Sequence, residues 1–106
     1  VMGCLSCGEA STLGWKILRD GATAFLTISD TQAVNAMRAL SSKVDGEQEV
    51  VLGESGTAGL AGLLAVGMDE MAREQLSLDR DSRILLFGTE GANAPKRYQE
   101  LVGNLA

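Results

Sequence analysis

The chain has 106 residues, enough for one small domain, and its 45% hydrophobic and 22% charged content is that of a folded protein rather than a disordered one. Nine basic against 14 acidic residues give a net charge of −5 with no basic patch, which excludes a nucleic-acid partner. The longest apolar stretch, Ala58 to Met68, is far shorter than the roughly 20 residues of a membrane-spanning helix, and no basic, apolar leader opens the chain.

Val1 to Ala10 reads as a loop of small residues; its start, Val1-Met2-Gly3 rather than an initiator methionine, suggests a piece of something longer. Within it, Cys4 and Cys7 form a Cys-x-x-Cys pair. Zinc usually wants four Cys, His or carboxylate ligands, and this chain has no histidine and no second cysteine pair. No metal is therefore expected, and two reduced thiols in a tight cytosolic loop are the favoured reading. Ser11 offers an N-cap, Leu13, Ile17 and Leu18 share a helical face, and Asp20-Gly21 fits a helix stop.

Ala24-Phe25-Leu26-Thr27-Ile28 reads as a short strand ending at the capping pair Ser29-Asp30. Ala33, Val34, Met37 and Leu40 then mark an apolar helix stripe. Val44 to Gln48, with Asp45-Gly46, is a turn or loop, and Glu49 to Leu52 could be a short extended piece. Gly53-Glu54-Ser55-Gly56 opens the next helix, about Ser55 to Met68, whose Ala58, Gly62 and Ala65 would let another backbone come close. Asp69 caps a further helix through Leu76. After a charged turn, Arg83-Ile84-Leu85-Leu86-Phe87 is a continuous apolar run of strand length, the pattern of a strand covered on both faces. Asn93 to Pro95 opens the last helix, with Tyr98, Leu101 and Val102 as its apolar face and Gly103 as its stop.

This alternation predicts an α/β architecture: a small parallel sheet of about two clear strands flanked by helices, a partial three-layer fold. Two strands alone would leave bare edges, which again favours a piece of a larger domain.

Three glycine-rich loops have the look of site builders: Cys4 to Glu9, Gly53 to Gly59, and Phe87 to Gly91. The middle one could cradle a phosphate on helix N-terminal amides, but it lacks the lysine of a Walker loop and carries Glu54. Without histidine the usual general base of nucleophilic catalysis is missing. Lys16, Lys43 and Lys96 lie in polar surroundings, unlike the desolvated lysine that bonds a carbonyl cofactor.

Those loops carry a family resemblance. Gly3-Cys4-Leu5-Ser6-Cys7-Gly8-Glu9 followed by Leu13-Gly14-Trp15 resembles the Ala-Cys-Gly-Glu-Pro and Gly-Trp-Glu portion of diaminopropionate ammonia-lyases. Gly53-Glu54-Ser55-Gly56 is similar to that family's Gly-Glu-Ser-Gly-Ala segment, and Phe87-Gly88-Thr89-Glu90-Gly91 to its Phe-Ser-Thr-Glu-Gly-Asp-Thr-Asp signature. The three occur in family order and spacing over essentially the whole chain. The resemblance implies that residues 1–106 are the C-terminal portion of the large pyridoxal-phosphate domain of a fold-type II enzyme, related to tryptophan synthase β. It implies β-elimination of 2,3-diaminopropionate to pyruvate and ammonia by a cytoplasmic parent. Apolar faces left uncovered by the missing segments favour self-association of the piece itself, as a dimer or larger homo-oligomer. The piece alone is expected to be inactive and to bind no pyridoxal phosphate.

By the same resemblance the cofactor-binding residues are Cys7, Gly8, Glu54, Gly88 and Thr89, and no catalytic residue lies in this chain. The cofactor-bonding lysine, the acid-base aspartates and the glycine-rich phosphate loop would lie upstream. Gly88 stands where the family has serine, which leaves Thr89 to supply the hydroxyl at the ring nitrogen; Ala92-Asn93-Ala94 replaces Asp-Thr-Asp, and Ala10 replaces proline. Two other readings remain open at this point: a fragment of a serine or threonine dehydratase-like enzyme, and a free-standing α/β binding or assembly module.

Overall fold

The computed structural model describes residues 2–42 and 48–103. Most of the turn expected over Val44 to Gln48 lies outside them. After a single 3-10 turn at Gly3–Leu5 come five helices: α1 (Thr12–Gly21), α2 (Asp30–Ser41), α3 (Ala58–Gly67), α4 (Glu70–Gln75) and α5 (Pro95–Val102).

Each helix begins where its local chemistry dictates. The Ser11 hydroxyl accepts from Gly14 N at 3.1 Å, and the Asp69 carboxylate accepts from Ala72 N at 3.2 Å. At α2 a full capping box forms: Gln32 N donates to Ser29 Oγ at 3.2 Å while Ser29 N donates to Gln32 Oε1 at 2.8 Å. Pro95 occupies the first turn of α5, where its missing N–H costs nothing.

The core is small. α2 packs on α3 and α5, and α3 on α4. Met37, 1% exposed, meets Tyr98 and Val102 of α5, with Ala92 and Leu101 packed around them. Arg38 Nε donates to Leu101 O at 2.8 Å, tying the same two helices by a polar bond. Between α2 and α3 the fully buried Thr57 hydroxyl lies 3.4 Å from Ala33 O, 3.2 Å from Gly53 O and 3.1 Å from Glu54 O, so it always has an acceptor.

The expected α/β architecture, a partial three-layer fold with a small parallel sheet, is not what forms: among the described residues all regular structure is helical. Neither Ala24–Ile28 nor Arg83–Phe87 is a strand, and Glu49 to Leu52 is irregular as well. A strand exists through the ladder of backbone hydrogen bonds to a neighbour. No such bond joins Ala24–Ile28 or Arg83–Phe87 to any described segment, and Glu49 to Leu52 has one, Val50 N to Leu40 O at 3.2 Å, which is no ladder. Instead, the two apolar runs both pass over α3. A Cβ at Gly62 would lie 3.7 Å from Leu26 Cδ1, and one at Gly59 would lie 3.6 Å from Leu86 Cδ2. The small residues of α3 thus do admit close neighbours. Outer side chains of both segments face outward: Phe25 is 67% exposed, Leu85 77% and Phe87 76%. The apolar run of Arg83–Phe87 therefore lacks the double cover its composition led us to expect.

Candidate functional site

Glycine decides how the site is built. Gly53 and Gly56 flank the turn that leads into α3, and both are buried. A Cβ at Gly56 would stand 2.4 Å from the backbone oxygen of Glu90, and one at Gly53 would stand 2.6 Å from Gly91 O. Only residues without a side chain let the Phe87–Gly91 loop lie this close to the start of α3. The loops are then joined by hydrogen bonds. Gly53 N donates to Glu90 O at 3.1 Å, and the Glu90 carboxylate accepts from Ser55 N at 3.1 Å and Gly56 N at 3.3 Å.

Helix N-termini hold free N–H groups and positive potential, so they attract anions. Here the amides just before the α3 N-cap, Ser55 N and Gly56 N, are taken by the chain's own carboxylate. The phosphate cradle considered for Gly53 to Gly59 is thus already occupied by Glu90. Its carboxyl is held below the usual carboxylate range by the Cys4 thiol and by the Gly56 and Ser55 amides, against the opposing effect of burial. Cys4 shows the converse effect: hydrogen bonding to Glu90 and the charge of that carboxylate push its thiol pKa up, with burial and the Glu54 charge adding to the rise.

Beside this junction is a cavity of about 200 Å³, whose walls include Cys4, Met37, Gly53, Glu54, Glu90 and Tyr98. The three loops singled out in the sequence therefore meet at one place, the first through Cys4, the second through Gly53 and Glu54, the third through Glu90. Of the five expected cofactor-binding residues, only Glu54 lines this cavity. Gly88 lines a neighbouring cavity of about 140 Å³ with Leu52, Gly56 and Phe87, and a Cβ there would stand 2.6 Å from Leu52 Cδ1. Cys7, Gly8 and Thr89 are exposed and line neither. Cys4 and Glu90 were not among the five. Glu90 could have been found as an acid in one glycine-rich loop able to meet the amides of another; Cys4 carried no signal beyond the Cys-x-x-Cys spacing.

One consequence is chemical. Removing the Glu90 charge lowers the Cys4 pKa and raises its thiolate fraction. Alkylation of Cys4 by iodoacetamide at pH 8, resolved by peptide mass spectrometry, is expected to run faster in Glu90→Gln; an unchanged rate contradicts the influence of this carboxylate on the thiol.

No family model matches the chain. Among curated proteins, diaminopropionate ammonia-lyase of Escherichia coli K12 is 38% identical over 105 residues, which is 96% of this chain and 26% of that protein. The chain matches a segment of diaminopropionate ammonia-lyase. The Salmonella typhimurium lyase is 34% identical over 109 residues, 98% of this chain and 27% of its own length. Solved structures agree. The Escherichia coli lyase in complex with an aminoacrylate-PLP azomethine reaction intermediate superposes with a TM-score of 0.89 at 37% identity, over 98% of this chain and 28% of that one. The same lyase in complex with D-serine gives 0.86 at 38% identity, over 94% and 26%. The chain spans about a quarter of the length of the curated lyases it matches.

Proposed function

We propose that this chain serves as one wall of the active site of a pyridoxal-phosphate-dependent ammonia-lyase of fold type II, acting on 2,3-diaminopropionate to release pyruvate and ammonia. The observation that carries the proposal is the joint agreement of sequence and backbone with the lyases: 38% identity over 105 residues and a TM-score of 0.89. The D-serine and aminoacrylate-PLP complexes of the Escherichia coli lyase support a small amino acid as the substrate class.

Of the five proposed cofactor contacts, Glu54 lines the cavity beside the junction of the three loops. Cys4 and Tyr98 line it too, whereas no lysine among the described residues does, and the Ser55 and Gly56 amides in the turn before α3 hold Glu90 rather than a phosphate. When bound, the cofactor supplies the electron sink for breaking bonds at the substrate's α and β carbons. This chain's part is to orient it: the Thr89 hydroxyl toward the ring nitrogen, Glu54 toward the ring, Cys7 and Gly8 at its edge, and Gly88 giving the loop room. The lysine, the acid-base groups and the phosphate site come from other parts of the lyase, so the 106-residue chain alone is inactive. We assign the parent to the cytoplasm as a homo-oligomer. The exposed Phe25, Leu85 and Phe87 are apolar surface that the rest of the lyase, or a second copy of it, would cover. No helix among the described residues is long and apolar enough to cross a membrane.

The test is direct. Full-length protein carrying this segment, supplied with pyridoxal phosphate and 2,3-diaminopropionate, should release two ammonia for each pyruvate, one by elimination and one by hydrolysis of the resulting enamine, while the 106-residue chain releases neither. Activity with serine or threonine and none with diaminopropionate would move the assignment to the dehydratases.

A further inference from the structure

Resting on the lyase reading above, we infer that Glu90 is a positioning residue, which clamps the Phe87–Gly91 loop onto the start of α3 and so fixes Thr89 and Glu54 relative to the cofactor. Three hydrogen bonds from one residue cross between the loops: its backbone oxygen accepts from Gly53 N, and one carboxylate oxygen accepts from Ser55 N and Gly56 N. Glu54 lies between two of these donors in the chain, and Thr89 is the immediate neighbour of the acceptor. Displacing the carboxylate therefore loosens both side chains together. The absence of Cβ atoms at Gly53 and Gly56 is what admits Glu90, whose carboxylate would overlap a side chain at Gly53. A simple helix cap would bond its own helix; this acid instead arrives from a loop more than 30 residues further along the chain, on an element that carries a candidate cofactor contact.

The experiment uses the full-length protein loaded with pyridoxal phosphate and its Glu90→Gln and Glu90→Ala variants. Gln keeps an acceptor oxygen without the charge, so it should fold as the parent does if Ala does not. Amide hydrogen exchange over residues 53–57 is expected to rise about tenfold in Glu90→Gln and further in Glu90→Ala, since hydrogen bonds to ionised acceptors are the stronger ones. The absorbance maximum of the bound cofactor should shift, and kcat should fall about tenfold, with KM changed less than threefold and Tm of the Gln variant retained. Unchanged exchange overturns the clamp. Faster exchange with the parental spectrum and kcat overturns the positioning role and leaves Glu90 a structural tie. A parent that takes up no cofactor refutes the lyase reading, and this inference with it, before any variant is made.

Discussion

Replacing Gly56 with alanine is expected to destabilise the protein by about 1–3 kcal/mol, the range for forcing an extra methyl into a filled space. The new Cβ would lie 2.4 Å from the Glu90 backbone oxygen and 3.3 Å from its carbonyl carbon and its nitrogen. A backbone carbonyl cannot rotate away as a side chain can. The loop must retreat, and the Glu90 bonds to Ser55 and Gly56 lengthen with it. Gly67 is the matched control: it lies at the end of α3 with nothing within 4 Å of its would-be Cβ. There alanine should be neutral or stabilising by up to about 1 kcal/mol, because glycine is the poorer helix former. Urea unfolding of both variants checks the contrast, and equal midpoints for the two would contradict the close approach.

The second large effect lies in the core. Met37→Ala removes the largest fully buried apolar side chain of α2, at a position 1% exposed, where it holds Tyr98 and Val102. Truncations of this kind cost about 2–5 kcal/mol, from lost burial and the cavity left behind. Because the buried cluster is small, little else can compensate, and α5 loses its main apolar contact with α2. Thermal unfolding should drop by many degrees, and Met37→Leu, which conserves volume, should recover most of the loss. If alanine costs less than about 1 kcal/mol, α5 is not held through this contact.

The helices were legible because their signals are local. Ser11, Ser29, Asp69 and Pro95 sit at the helix starts that the sequence suggests, and Ala33 and Met37 of the apolar stripe are buried. The strands were not, for a physical reason. Apolar runs such as Ala24–Ile28 and Arg83–Phe87 encode a preference for burial, but a strand also needs a neighbour to accept and donate backbone hydrogen bonds. No described segment does so for either run. Glycine patterning exposed the site loops, because Gly53, Gly56 and Gly88 mark places where other atoms come within 3 Å of where a Cβ would stand. What the pattern could not convey was which side chain fills the gap. Glu90 looks like any loop charge until the amides of Ser55 and Gly56 are brought to it, and those lie some 35 residues away.

In the proposed lyase the pocket's walls are divided: orienting groups in this chain, the cofactor-bonding lysine elsewhere. Borohydride reduction of the loaded full-length protein, followed by peptide mapping, locates that lysine. The label should fall on a lysine outside residues 1–106. Recovery of it on Lys16, Lys43 or Lys96 would contradict the account, because the chain would then hold its own cofactor.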